Sequence, residues 1–216
     1  MIEHQTVDDL LLAHAAGALP EPLALIVATH LALNPAARAR YRRYEAVGGV
    51  LLETIEPEAL ACDAWARAEA CLDAEHPEPP RHHHAMPAGD LTLPRPLRDY
   101  LPAPLGGLRW RSYGAVAEIG LPLEAPGYST TLVRVRAGRQ VPQHTHEGCE
   151  LTLVLDGAFH DETGRYGRGD LAIADGSLDH RPTVDPGQDC LCLTVTDAPR
   201  RLTGSIGRWL NPFIRF

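Results

Sequence analysis

The sequence lacks the features that mark disulfide-stabilised, membrane-spanning and exported proteins. It has no C-x-x-C pair, and its odd number of cysteines fits reduced thiols better than a disulfide framework. No stretch approaches the roughly 18 apolar residues that a membrane-spanning helix needs, and the amino terminus has no basic segment followed by an apolar run. We therefore expect a cytoplasmic protein without a membrane partner, whose five thiols are Cys62, Cys71, Cys149, Cys190 and Cys192.

Basic residues are also few. The 216 residues include 20 Lys and Arg against 28 Asp and Glu, which gives a formal net charge of −8. Contacts with nucleic-acid phosphates need clustered Lys and Arg, so we expect no direct nucleic-acid partner and favour a basic protein surface instead. The hydrophobic share of 44% is ordinary for a globular protein and can form the core of one large domain or two small ones.

The residues that carry chemistry concentrate between positions 138 and 157, which read G-R-Q-V-P-Q-H-T-H-E-G-C-E-L-T-L-V-L-D-G. Residues two apart in a strand share a face, so His144 and His146 point the same way, and Glu150 has the same parity. Two imidazole nitrogens and a carboxylate suit Zn²⁺, Fe²⁺, Mn²⁺ or Ni²⁺. A fourth ligand has to come from elsewhere in the chain, and His180, just past the next apolar run, is the candidate.

The spacing of this stretch, G-x5-H-x-H-x3-E-x6-G, resembles the first sequence motif of the cupins, with Gly138 and Gly157 at its glycine positions. Residues 167–180 are similar to the second motif, although they lack its proline and have one additional residue before the histidine. The resemblance implies a jelly-roll β-barrel that holds one divalent metal, with a position open to a small-molecule ligand. Zinc is the first expectation and iron, manganese or nickel the alternatives; the implied ligands are His144, His146, Glu150 and His180.

Other candidates near this stretch are predicted to stay outside the metal site. Cys149 has the opposite strand parity to the ligands, and His160 follows the second strand as an exposed turn residue. Cys190 and Cys192 share a face, and small buried strand residues are their expected role.

The first 75 residues have the pattern of short helices. Acidic residues precede the first apolar run, prolines separate the next ones, and the third segment is basic and then apolar, as an amphipathic helix is. The predicted helices span residues 8–17, 23–33, 36–55 and 58–73. Together they suggest a small bundle whose exposed apolar face is available to a partner.

The remaining sequence changes character twice. Residues 76–92 are rich in proline and read as a linker, in which the run His82 to His84 is solvated. Residues 93–216 carry short apolar runs separated by Gly, Pro and Asp, the pattern of an antiparallel barrel. The predicted fold class is therefore α+β and multidomain: a helical bundle at 1–75, a linker at 76–92, and a cupin jelly roll at 93–216.

The amino-terminal segment adds a second resemblance. His4, then L-L-L-A-H-A-A-G-A-L-P-E and L-I-V-A-T-H-L-A-L-N-P, resemble the helical domain of the ChrR family of zinc-containing anti-sigma factors, and R-W-L-N-P-F-I-R-F resembles that family's tail. In this family a cupin-like domain follows the helical domain. The resemblance implies a protein that binds an extracytoplasmic-function sigma factor, blocks its access to polymerase, and releases it under stress such as singlet oxygen or peroxide.

The sequence departs from that family at one site. The family's helical domain holds zinc with an early histidine and an H-x3-C-x2-C signature. This sequence has the two histidines, His4 and His30, but Asn34 and Ala37 stand where the family has its cysteines. Structural zinc normally takes four ligands, so we expect this degenerate site, His4 and His30, to be empty. His14 is predicted to be a capping or solvent-facing residue instead of a third ligand.

Two functions remain open from the sequence. One is regulatory: the helices bind the sigma factor and the metal-binding cupin senses stress or a ligand. The other is enzymatic, a metal-dependent cupin dioxygenase or isomerase that uses the open metal position. A separate amphipathic bundle favours the regulator, and a homodimer is compatible with either function.

Overall fold

The computed structural model of the protein describes residues 6–73, 93–123 and 125–203. His4, the whole of the predicted linker with His82 to His84, and the closing segment that resembles the family's tail lie outside the described residues. The described helices are α1 Val7–Ala15, α2 Glu21–Leu33, α3 Pro35–Glu53, α4 Ala64–Asp73 and the single turn α5 Arg95–Arg98. None of the described helices is long and apolar enough to cross a bilayer.

The sequence explains where the first helices begin and end. Thr6 caps α1 in a reciprocal capping box with Asp9, whose backbone N–H donates to the Thr6 hydroxyl while its carboxylate accepts from the Thr6 backbone. Asn34 separates α2 from α3, and its side-chain Oδ1 accepts from the Ala37 backbone N–H at 3.0 Å. The fourth helix begins at Ala64, six residues later than predicted, after a turn that joins Ala64 N–H to the Ala61 carbonyl.

Within the described part of the chain, eleven strands follow the helices: β1 Arg111–Tyr113, β2 Val116–Gly120, β3 Ser129–Val135, β4 His144–His146, β5 Glu150–Asp156, β6 Ala158–Asp161, β7 Gly164–Gly167, β8 Leu171–Ala174, β9 Thr183–Val184, β10 Cys190–Thr196 and β11 Arg200–Leu202. Six of them form an antiparallel sheet in the order β1-β2-β3-β10-β5-β8, and smaller sheets β11-β4 and β7-β6-β9 complete the domain. The predicted fold class, helices followed by a cupin-like β domain, is confirmed.

The inner strands β5 and β10 of the large sheet are buried on both faces. Along β5, Leu151, Leu153 and Leu155 belong to the core that also contains the helices, whereas Glu150 and Thr152 line a cavity on the other face. The same alternation runs along β10, where Leu191, Leu193 and Val195 face the helical side and Cys190, Cys192 and Thr194 face the cavity. Burial on both faces explains why these strands read as continuous apolar runs.

Helix α2 packs directly on this sheet. Ile26 and Val27 are fully buried in one continuous core with Leu153 and Leu193. Eight of the 13 residues of α2 are buried, because α1 and α3 cover the side of α2 that the sheet and α5 leave open. The helices and the β domain therefore share a hydrophobic core.

Candidate metal centre in the cupin cavity

Strand β4 places two of the predicted ligands. His144 and His146 lie on the same face and are 2% and 3% exposed, as the period of two along a strand predicts. His180 reaches the same point through an antiparallel bridge, in which His144 N–H donates to the His180 carbonyl at 3.1 Å and His180 N–H returns a bond of 3.0 Å. The backbone thus joins a turn residue to the strand that carries the other two imidazoles.

The three imidazoles converge. One ring nitrogen from each of His144, His146 and His180 lies within 4.8 Å of the other two. The Nε2 atoms of His146 and His180 are 3.1 Å apart, close to the ~3.3 Å that separates two nitrogens bound tetrahedrally to one Zn²⁺ at about 2.0–2.1 Å. At this distance the two atoms either share a proton or face the same cation.

Hydrogen bonds to the outer ring nitrogens set two of the tautomers. His144 Nδ1 lies 2.8 Å from the Pro142 carbonyl, and His180 Nδ1 lies 2.9 Å from Asp161 Oδ2. Carbonyl and carboxylate oxygens only accept, so both Nδ1 atoms carry a proton, and the neutral form of each ring has its lone pair on Nε2. That is the tautomer that a metal-binding imidazole needs, and the outer partner is the usual means of fixing it.

Asp161, at the end of β6, is a site residue that the sequence analysis missed. Its side chain is 3% exposed, and besides His180 it accepts from the Thr163 backbone N–H at 2.8 Å and from the Thr163 hydroxyl. Burial alone would raise its pKa, but the hydrogen bonds from Thr163 and His180 outweigh burial and leave the pKa lowered. Asp161 is therefore a carboxylate. The available signal was strand alternation, which turns Phe159 and Asp161 inward and His160 outward.

Glu150 lines the same cavity and is 6% exposed, but its carboxylate is not among the atoms that lie within 4.8 Å of one another. Its Oε1 accepts from the Thr152 hydroxyl at 3.2 Å. The structure therefore brings three of the four predicted ligands together and places the fourth on the wall beside them.

The cavity behind the histidines is small and mostly apolar. Its volume is about 70 Å³, enough for a few water molecules or a small ligand. The thiols of Cys190 and Cys192 form part of the wall, with 3.6 Å between their sulfurs. The cavity is also lined by apolar side chains from five different elements, among them Val116, Val133, Val135, Phe159, Leu178 and Val184.

Cys149 lies where the parity argument expects it, and His160 is exposed as predicted, although it lies within β6 and not in a turn. Cys149 is buried on the helical side of the sheet, and burial raises the pKa of its thiol to about 12, so it stays protonated and unreactive. The side chain of His160 is 53% exposed and contacts the Asp185 carboxylate at 3.2 Å. Neither residue contributes to the histidine cluster.

The amino-terminal candidates do not form a comparable cluster among the described residues. His30 is 3% exposed, and its Nδ1 donates to the backbone carbonyl of Gly169 at 2.8 Å. Asn34 caps α3, and Ala37 is fully buried. His14 is half-buried against the ring of Tyr41, with 5.5 Å between ring centroids, so it is less solvent-facing than predicted.

Comparison with known proteins gives consistent results. Residues 108–199 match a domain family described as ChrR Cupin-like domain. The chain is 43% identical over 215 residues to the anti-sigma-E factor ChrR of Cereibacter sphaeroides, with 99% of each chain covered. It also resembles a solved chain in the crystal structure of Rhodobacter sphaeroides SigE in complex with the anti-sigma ChrR, with a TM-score of 0.76 and 42% identity over 91% of this chain and 100% of that one.

Proposed function

Because this chain belongs to the ChrR family of anti-sigma factors, we propose that it binds and inhibits an extracytoplasmic-function sigma factor in the cytoplasm. The observation that carries the proposal is similarity along the whole length, helices included, to a protein solved in complex with its sigma factor. A relative that matched the cupin alone would support only a shared fold. The family is regulatory, which disfavours the dioxygenase or isomerase alternative.

The exposed apolar residues support a sigma-binding face on the outer helices. Ten large hydrophobic side chains in the described residues are strongly exposed, and eight of them lie between positions 47 and 72. On α3 and just beyond it they are Val47, Val50, Leu51, Leu52 and Ile55, each 56–69% exposed. Such a concentration of exposed apolar surface on a soluble domain is typical of an interaction site. We call these five residues the α3 apolar face.

Leu51→Glu tests the proposed face. A charge there must be desolvated on binding, so we expect co-expressed full-length protein to lose most of its one-to-one complex with a sigma factor from the same genome. Tyr113→Glu is the matched control, since Tyr113 is 53% exposed on the cupin and lies far from the face in sequence. Failure of the unmodified chain to form any complex would refute the proposed function.

We further propose that the cupin cavity holds one divalent metal, zinc in the first instance, with iron, manganese and nickel as alternatives. The donor set fits: three buried imidazoles converge, and the Nδ1 bonds of His144 and His180 put the lone pair of each neutral ring on Nε2. His144, His146 and His180 would hold the ion, and a rotation of the Glu150 side chain would supply the fourth ligand. A bound cation would supply a Lewis-acidic centre open to a ligand or a reactive oxygen species.

The same geometry would allow the site to act as a sensor. The three histidines come from β4 and from the turn before β9, and Glu150 begins β5. A shared ion ties these segments together, so anything that weakens the ion frees them to move apart. Elemental analysis of protein purified without chelator tests the site: one equivalent per chain is expected, and none would refute it.

A further inference from the structure

One hydrogen bond connects the helices to the β domain across 139 residues of sequence. His30, in the last turn of α2, donates from Nδ1 to the Gly169 carbonyl at 2.8 Å. We propose that His30 and the turn at residues 167–170 form an interdomain latch, which fixes the junction of α2 and α3 on the cupin. The expected effect of this latch on sigma release rests on the proposed function, whereas the contact between His30 and the turn does not.

The cupin side of the latch is held rigidly. Gly169 N–H donates to the Val154 carbonyl on β5 at 2.8 Å. The turn is closed by two bonds of 2.9 Å between Gly167 and Asp170, one to the Asp170 carboxylate and one from the Asp170 backbone N–H. The carbonyl that accepts from His30 therefore belongs to a peptide that is anchored to the large sheet.

The approach of the helix to this turn requires glycine. Gly169 has a φ of +90°, a backbone conformation that other residues rarely adopt. A Cβ at this position would lie 3.3 Å from both the Cβ and the carbonyl oxygen of Leu33 at the end of α2. The turn and the helix end are thus in direct contact, and His30 donates across that contact.

The helical side of the latch reaches both helices. Asn34 Nδ2 lies 3.4 Å from the same Gly169 oxygen, while Asn34 Oδ1 caps α3. The Arg38 guanidinium donates back to the Leu31 and Ala32 carbonyls at the end of α2. One carbonyl of the cupin is therefore linked to the end of one helix and to the beginning of the next.

The latch lies between the two proposed functional sites. The turn leads directly into β8, which pairs with β5 and sets Ala174 opposite Glu150. On the other side, Asn34 begins the helix whose far half carries the α3 apolar face. A shift of β8 and β5 at the metal site is expected to reach the sigma-binding helix through residues 30–34.

Hydrogen exchange on the full-length chain tests the latch. His30→Leu removes the shorter of the two bonds to the buried Gly169 carbonyl at similar side-chain size and leaves only the long one, 3.4 Å from Asn34. We therefore expect exchange at residues 30–37 and at residues 167–171 to accelerate about tenfold. His30→Asn places an amide nitrogen where Nδ1 lies and is expected to restore slow exchange in both segments. His160→Leu, on the exposed face of β6, is the control and should change neither segment.

Acceleration confined to residues 30–37 would overturn the latch, because His30 would then stabilise only its own helix. Should His30→Leu fail to fold, Gly169→Ala carries the test: a change in the cupin turn must accelerate exchange in residues 30–37, and no change there refutes the proposal. Release of the sigma factor is measured in parallel, with and without a metal chelator. We expect the chelator to change release from the unmodified protein but not from His30→Leu. If unmodified protein binds no sigma factor, the proposed function fails while the exchange result still decides the latch.

Discussion

Replacing Asp161 by Asn tests the proposed metal site through the residue that orients His180. The carboxylate uses one oxygen to accept from His180 Nδ1 and the other to accept two bonds from Thr163. An amide has a single acceptor oxygen. If the amide nitrogen faces His180, it donates to Nδ1 and moves the imidazole proton to Nε2, the nitrogen that should bind the metal. If the amide nitrogen faces the Thr163 backbone N–H, two buried donors face each other.

Both arrangements weaken a bound metal. Loss of such an outer partner typically lowers metal affinity by about 10–100-fold, which corresponds to roughly 1.4–2.8 kcal/mol. The loss should fall in that range here because both side chains are nearly fully buried, at 5% exposed for His180 and 3% for Asp161. Solvent therefore screens the interaction little.

Competition with a chelator of known zinc affinity measures the effect. Asp185→Asn is the matched control: this carboxylate also accepts from a histidine, His160, and from Arg165, but it lies outside the cavity lining. Metal-free Asp161→Asn and the unmodified chain are first compared by urea unfolding, so that a folding defect is separated from a binding defect. Zinc affinity of Asp161→Asn within twofold of the unmodified chain would contradict the orienting role.

Two further predictions concern folding stability. Gly157→Ala should destabilise the protein by at least about 2 kcal/mol in urea unfolding, because Gly157 has a φ of +74° and a Cβ there would clash with the backbone oxygen of Asp189. Gly48→Ala, in the open interior of α3, should instead stabilise the protein by about 0.5–1 kcal/mol, and equal effects of the two substitutions would contradict this reasoning. Burial lowers the pKa of His30 below its ordinary value, so its contribution to stability is complete above a pH of about 6.5 and is lost as the pH falls below that value, because the unfolded chain binds the proton first. His30→Leu should flatten the unfolding free energy between pH 7 and the acid side of this window, and an unchanged slope would refute the assignment.

Part of the site follows from the sequence by simple geometry. A strand has a period of two, so His144 and His146 had to share a face wherever the strand lay. The spacing also gives Glu150 the same parity within one continuous strand, and the structure sets it on the cavity wall. Glu150 begins a separate strand, β5, because the chain leaves β4 after His146. What parity cannot give is the final position of the carboxylate, which accepts from the Thr152 hydroxyl and lies outside the close cluster of imidazole nitrogens.

Other features depend on contacts distant in sequence. Asp161 lies in a strand of four residues, which is too short for alternation to stand out, and its importance comes from a partner 19 residues away. The packing partner of helix α2 likewise could not be predicted from the sequence. Its near-continuous apolar sequence indicates burial on most sides, but nothing in those residues specifies that β5 and β10 form one of the covering surfaces.

The two-sided sheet explains why the cavity and the helices are coupled in this fold. In β10 the cavity residue Cys192 is directly followed by Leu193, which packs in the core shared with α2. A slip of one residue would exchange the two faces, placing leucines in the cavity and thiols beneath the helix. Register in this strand is therefore specified from both sides at once. A change at the histidine cluster that shifts the register of β10 would therefore not stay confined to the cavity. It would also displace the leucines of β10 against which α2 packs.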